Sequence, residues 1–346
     1  MKANGLIPKD YRSILDLRET EKAIRSIKEF FQVNLAKRLN LSRVSAPLFV
    51  ESGTGINDDL NGVEKPVTFK VKALHNHEAE IVQSLAKWKR MALAGYQFKA
   101  GEGLYTDMNA IRPDEDLDNI HSLYVDQWDW EKIISKTERN LDYLKTTVKD
   151  IYTILKELEN YIFEEYPQIK PLLPQEISFI HSEELVTAYP NLSPKAREEV
   201  ICREKGAVFI IGIGGELQDG KPHDGRAPDY DDWSTPTGSK TKGLNGDILI
   251  WNPVLHNSLE LSSMGIRVDK EALIRQLKTH GETQRLDLPF HQKLIQGHLP
   301  LSIGGGIGQS RLCMLFLRKA HIGEVQSSMW PKEMIEEYSK HNIFFL

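Results

Sequence analysis

The sequence predicts an α+β fold, a large and mainly antiparallel sheet flanked by helices. Three observations lead there. Alternating segments return on one another across short connections, at 103–131 and again at 245–267. Apolar stripes at helical spacing over 19–39 and 141–162 mark helices long enough to cover a sheet face. No repeat, linker or low-complexity tract divides the 346 residues, so one domain, 1–346, is the simplest parse.

Composition narrows the class of protein. With 40% apolar and 27% charged residues the chain is neither disordered nor fibrous. A net charge of −5 weighs against non-specific nucleic-acid binding, though not against small anions held by local positive charge. No apolar run approaches the roughly 20 residues of a membrane span. The longest, Ala207 to Ile213, reads as a central buried strand. Met1 to Gly5 lacks the apolar core of a signal peptide, and two cysteines in helical segments, Cys202 and Cys313, fit a reducing cytoplasm.

Taken in order, Ile24, Ile27, Phe31 and Leu35 make the first helical stripe, which Asn40 stops. Ser42 to Ala46 is a short strand ended by Pro47. Glu51 to Gly62 is a polar loop. Val67, Phe69 and Val71 alternate into a turn at His75–Glu78 and pair with Glu80–Val82; the two histidines there lack a third metal ligand and are surface residues. Ser84 caps a helix with Leu85, Trp88 and Ala92 on its apolar stripe, ended by Gly95. Its Lys87, Lys89 and Arg90 read as a solvated face.

Gly103 to Arg112 is a strand, closed by the acidic loop Pro113–Asp116. On the next strand, His121 to Glu131, Gln127, Asp129 and Glu131 share one face while Tyr124, Trp128 and Trp130 share the other. That split suits a sheet with a wet cleft on one side. Leu144, Val148, Ile151, Leu155, Leu158 and Ile162 mark the longest helix, either half of a helix pair or a helix lying across the sheet. A strand at 177–181 and a helix from Ser193–Pro194 to Arg203 follow. Gly215–Lys221 is no phosphate-binding loop, because Pro222 stands where Ser or Thr and a helix are needed. Arg226–Trp233 carries three acids and an arginine among aromatics, more chemistry than a connector needs.

Asn245–Leu255 and Leu259–Arg267 read as two strands around an Asn-Pro turn. With Pro253 and Val254 central in that turn, Asp247 stands opposite Glu260. Two facing acids repel unless a cation lies between them. Arg267 joins their face only if the strand is bulged, which Ser262–Ser263 and Gly265 make plausible. Helices at 271–279 and 289–297 lead to Gly304-Gly305-Gly306-Ile307-Gly308 and a helix start with Arg311 in its first turn. A cation is unfavourable there for the helix itself, which favours a ligand role. The spacing is not that of a dinucleotide-binding turn.

At these residues the chain resembles the catalytic domain of class II aminoacyl-tRNA synthetases. The helix, strand and Pro47 are similar to that family's dimer-forming first motif, the strand ending in Arg112 and its return strand to the second, and Gly304–Arg311 to the third, a glycine-rich turn before an ATP-binding arginine. A closer resemblance is to the ammonia-dependent asparagine synthetases of the aspartyl branch. It rests on His121–Ser122, Tyr124–Glu131, Arg226–Thr235, Leu244–Pro253, Glu260–Val268 and Ile303–Leu312. It spans about 19 to 330, leaving the ends before Thr20 and after Pro331 uncovered; Gln83 stands where that family would have histidine.

The resemblance implies that L-aspartate, ammonia and ATP give L-asparagine, AMP and pyrophosphate through a β-aspartyl-adenylate. Arg112 would meet the α-phosphate and Arg311 the γ-phosphate, with Gly306 and Gly308 beside the nucleotide and Asp247 and Glu260 holding Mg²⁺. Asp58, Lys89, Gln127, Asp129, Asp231, Ser263 and Arg267 would bind aspartate, with Arg226 a weaker candidate and Lys89 counted with the two arginines as catalytic. A homodimer is implied. A tRNA-charging enzyme would need an anticodon module, and residues 1–18 fall short of the roughly 50 residues of a domain. An inactive regulatory relative would show broken motifs, and a glutamine-using synthetase would need a cysteine where Lys2 stands.

Overall fold

Alternation along residues 124–133 decides how the sheet faces. The computed structural model, which describes residues 5–58 and 64–346, makes this segment strand β6 (Tyr124–Ile133). Trp128 and Trp130 are sealed into the main core, while Gln127 and Asp129 line a cleft on the opposite face. The preceding strand, β5 (Gly103–Ile111), runs antiparallel to β6 with Met108 opposite Gln127 and Thr106 opposite Asp129. Arg112 extends the ladder by one bond, its N–H donating to Leu123 O at 2.8 Å.

Among the described residues eight strands make the sheet. The remaining six are β1 (Leu41–Arg43), β7 (Ser178–His181), β8 (Ala207–Ile211), β9 (Asn245–Asn252), β10 (Asn257–Ile266) and β11 (Ser302–Gly308). Their order is β1-β5-β6-β11-β10-β9-β8-β7. Pairing is antiparallel through the middle and parallel only at the two edges, β1 with β5 and β7 with β8. The expected mainly antiparallel sheet is therefore the observed one. The 207–211 strand is fully buried as expected but lies next to an edge; the glycine-rich β11 and its neighbour β10 hold the middle.

Helices α1 (Leu17–Leu39) and α3 (Leu141–Glu165) cover one face, and both expectations for the long stripe hold together. Phe30 stacks on Tyr161 at 4.8 Å between the two helices, while Phe31 stacks on Trp128 of the sheet at 4.8 Å. Asp16 and Glu19 close a capping box at the start of α1, and Asn40 ends it in the left-handed conformation. The other face carries α2 (Ala86–Gly95), α5 (Pro194–Lys205), α6 (Lys270–His280) and α7 (Pro289–Ile295) around the cleft, with α4 (Ser182–Ala188) after β7. Helix α8 (Gln309–Phe316) follows β11, and α9 (Lys332–Ser339) lies near the C-terminus.

Part of the polar loop at 51–62 differs from expectation. Phe49–Glu51 is a strand, β2, in a three-stranded sheet with β3 (Thr68–Val71) and β4 (His77–Ile81). Lys70 pairs with Glu78 across the expected turn, where exposed His75 and Asn76 take left-handed φ values of 56° and 66°. Asp59–Gly62 of that loop, like Met1–Asn4, lie outside the described residues. Among the described residues no helix is long and apolar enough to cross a membrane.

Candidate active site

The floor of the cleft is a strand rather than a turn. In β11, Gly304, Gly306 and Gly308 stand directly opposite Glu131, Asp129 and Gln127 of β6. A Cβ on Gly306 would come within 2.3 Å of Gln127 Oε1 and 2.9 Å of Asp129 Oδ1; one on Gly304 would meet Glu131 Oε2 at 2.0 Å. The glycine run that the resemblance gave as a turn is thus a strand that lets three polar side chains lie over it. Arg311 follows in the first turn of α8, as expected.

The three basic residues of α2 are not solvated. Lys87, Lys89 and Arg90 are each 2% exposed or less, because this face of α2 lies against the cleft wall and not outward. Lys89 Nζ lies 2.9 Å from Asp129 Oδ2 and donates to Gly305 O at 3.0 Å. Burial pulls its pKa down, and Asp129 opposes that pull. Lys87 meets Asp229 at 3.0 Å, which also receives His291 Nε2 at 3.0 Å, all three fully buried. Arg90 donates to Val268 O at 2.7 Å and Pro300 O at 2.9 Å, fixing the chain just after Arg267 and just before β11.

From Arg267 a continuous charge relay crosses the cleft. Glu131 takes Arg267 Nε at 3.0 Å and Nη2 at 2.8 Å, and Ser302 Oγ donates to the same carboxylate at 2.7 Å. Burial alone would raise the Glu131 pKa; Arg267 outweighs it and holds the group below the carboxylate range. Arg267 Nη1 also donates to Asp231, and Asp231 lies 3.5 Å from Arg226 Nε. Arg226 then reaches Ser263 Oγ through Nη1 and Asp247 Oδ1 through Nη2, the latter at 2.6 Å.

The hairpin carrying the two acids has a different register from the expected one. Its turn is Pro253–His256, four residues long: Asn252 Oδ1 accepts from Val254 N at 2.9 Å and Leu255 N at 3.3 Å, and His256 takes a left-handed φ of 54°. Asn252 consequently pairs with Asn257, Glu260 stands opposite Leu249, and Asp247 stands opposite Ser263. A bulge between Glu260 and Ser262 restores the common face. Beyond it Ser263 and Arg267 project into the cleft with Glu260. The two acids still feel one another. Burial lifts the Asp247 pKa to about 7, Arg226 lowers it, and Glu260 and Asp224 raise it.

That donor set suits a hard divalent cation carried by phosphates. Two carboxylates on adjacent strands, one of them short of positive charge, match the one or two acids such an ion takes from protein. Among the described residues no group of three or more His, Cys, Asp or Glu stands ready to hold a metal alone. Arg311 Nη1 lies 3.6 Å from Glu260 Oε2 and 3.2 Å from Glu260 O. Across the cleft, Arg112 is only loosely paired, 3.9 Å from Glu115, and its buried Nε has no hydrogen-bond partner among the described residues.

Asp58, Lys89, Arg112, Gln127, Asp129, Arg226, Asp231, Glu260, Ser263, Arg267, Gly306, Gly308 and Arg311 all line one cleft of about 520 Å³. Asp247 lines the adjoining cavity, which shares Asp224, Glu260 and Arg311 with the cleft. Sequence reasoning missed the second layer: Glu131 as the clamp on Arg267, Asp229 as the anchor of Lys87, and Asn57, whose Oδ1 receives the backbone N–H groups of Asp58 and Gln83. Alternation had put Glu131 on the right face. Asp229 lies in the acid-rich stretch Arg226–Trp233, but nothing local marks its pairing with Lys87, and nothing local marks Asn57.

The eight-stranded sheet and its flanking helices form the class II aminoacyl-tRNA synthetase type of catalytic-domain fold. The asparaginyl-tRNA synthetase of Pyrococcus horikoshii, solved with asparaginyl-adenylate, superposes with a TM-score of 0.64 at 17% identity, over 90% of this chain and 70% of that one. Within that class the chain belongs to the aspartate–ammonia ligase family, whose model matches residues 18–342. Aspartate–ammonia ligases of Bacteroides fragilis and Clostridium perfringens are 60% and 61% identical to it, each over 98% of both chains. The family match thus reaches beyond Pro331, further than the resemblance read from the sequence.

Proposed function

We propose that this chain amidates L-aspartate with ammonia, using ATP and passing through a β-aspartyl-adenylate, with L-asparagine, AMP and pyrophosphate as products. The observation that carries the reading is the pairing of buried charges: Asp129 and Asp231 beside Lys89 and Arg267 in one cleft. Aspartate brings one ammonium and two carboxylates, so it needs both signs at fixed positions. Asp58, Gln127, Asp129 and Asp231 take the ammonium. Lys89 and Arg267, with Ser263 and to a lesser degree Arg226, take the carboxylate that does not react. The Oδ1 of Asp129, without a hydrogen-bond partner among the described residues, is an acceptor left for substrate.

ATP lies along the other end. Arg112 faces the α-phosphate and Arg311 the γ-phosphate, each matching charge that grows as the phosphoanhydride opens. Gly306 and Gly308 keep the floor clear beneath the nucleotide. Asp247 and Glu260 would hold Mg²⁺, which when bound withdraws charge from the phosphates. The chain is read as one catalytic domain working in the cytoplasm as a homodimer, the apolar residues Leu48 and Phe49 exposed just beyond Pro47 being suited to a partner surface. Incubating the protein with aspartate, Mg-ATP and either ammonium or glutamine tests the reaction. Asparagine with AMP from ammonium is expected; ADP formation or preference for glutamine overturns it, and charging of added tRNA would point to a synthetase.

A further inference from the structure

Gln83 follows β4 and precedes α2, and it lines the same cleft as Asp58 and Lys89. It is 1% exposed, yet among the described residues neither its Oε1 nor its Nε2 has a hydrogen-bond partner. Among the described residues no other side-chain amide is buried with both ends unpartnered. Its place is fixed from behind. Asn57 Oδ1 accepts the Gln83 N–H at 2.8 Å and the Asp58 N–H at 3.0 Å, and Asn57 Nδ2 donates to Ile81 O at 3.1 Å. One buried amide therefore holds Gln83 and Asp58 side by side at the cleft. Burying a primary amide without partners is costly, and a ligand that supplies the missing bonds recovers that cost.

Resting on the amidation reading above, we infer that Gln83 forms the ammonia subsite, its Oε1 accepting an N–H of the attacking ammonia. The charged ends of aspartate and ATP already have charged partners in Asp129, Asp231, Lys89, Arg267, Arg112 and Arg311. Ammonia is the one uncharged substrate, and Gln83 is the uncharged, unpartnered group. The choice of an amide matters chemically. A carboxylate here would favour ammonium, whose electron pair is tied up by a proton, whereas an amide carbonyl binds an N–H and leaves the pair on nitrogen free. That pair forms the C–N bond at the β-acyl carbon. The C–O bond to AMP breaks, AMP leaves with its electrons, and one N–H proton passes to the departing phosphate oxygen.

The two half-reactions separate this role from others. Wild-type protein is assayed first for aspartate-dependent ATP–pyrophosphate exchange, which needs no ammonia; its absence would count against the amidation reading itself. Gln83→Ala and the volume-conserving Gln83→Met are then compared with wild type. Both are expected to raise the KM for ammonia by about tenfold while leaving exchange and the KM for aspartate within about twofold. Gln83→Met keeps the cleft filled, so it reports even if the alanine variant fails to fold. An unchanged KM for ammonia overturns the assignment. So does a matching loss of exchange or of aspartate binding, which would place Gln83 in amino-acid recognition.

Discussion

Arg226 donates to Asp247 at 2.6 Å, so the buried acid at the head of the hairpin meets a cation within the protein itself. That contact does not offset the effect of burial. Burial pushes the Asp247 carboxyl up to about 7, with Glu260 and Asp224 adding to the rise and Arg226 opposing it. A folded-state pKa above the usual carboxylate value favours the protonated form. The stability it confers is full below about pH 4 and is lost as pH rises through about 7.

A cation bound by Asp247 needs the ionised form, so its binding follows the opposite course. Apparent Mg²⁺ affinity should climb with pH up to about 7 and level off beyond it. Melting temperatures of the protein with and without Mg²⁺ at about pH 5–8 check this. The stabilisation by Mg²⁺ should widen with pH in the wild type and stay flat in Asp247→Asn. A gap independent of pH in both proteins would remove Asp247 from the metal site.

Gly306→Ala tests the floor of the cleft. Its Cβ would lie 2.3 Å from Gln127 Oε1 and 2.9 Å from Asp129 Oδ1, so both side chains must move. Overpacking of this kind costs about 1–3 kcal/mol, and here it falls on groups assigned to the amino acid. The KM for aspartate should rise on the order of tenfold or more with the fold intact by circular dichroism. An unchanged aspartate KM would show that Gln127 and Asp129 do not contact it.

Lys89→Met removes the cation from a pair that is all but sealed from water, at 1% and 4% side-chain exposure. Asp129 would be left buried without its partner, a loss of about 3–5 kcal/mol. Urea unfolding should show that loss, and aspartate-dependent exchange should fall to background. If stability is unchanged while exchange falls, Lys89 acts on substrate alone.

How much of this was legible in the sequence depends on the range of the contact. Alternation over 121–131 and the stripe over 141–162 are local, and both the faces and the helix followed from them, though the strand itself runs from Tyr124 to Ile133. The hairpin register was not, because it turned on whether Asn252 would cap a four-residue turn, a choice made by its side chain. Lys87, Lys89 and Arg90 misled for a related reason. Their partners Asp229, Asp129, Val268 and Pro300 lie far along the chain, so spacing alone made a buried face look solvated. The glycines of β11 were read as a turn because flat sheet under crowded side chains asks for the same residue.

Glu131→Gln is the test of the second layer. The substitution keeps shape and can keep the Ser302 bond, but it removes the charge that takes Arg267 at 3.0 and 2.8 Å. Arg267 would then rely on Asp231, which it already contacts and which also faces Arg226 at 3.5 Å. Pulling Asp231 toward Arg267 weakens its hold on Arg226, and through Arg226 the setting of Asp247. The variant should therefore lose about 3 kcal/mol of stability and raise the KM for aspartate, while its requirement for Mg²⁺ shifts to higher concentration. A double-mutant cycle with Arg226→Lys separates the two routes. Coupling near zero would show that Glu131 only clamps Arg267; coupling above about 0.5 kcal/mol would show the relay reaching Asp247.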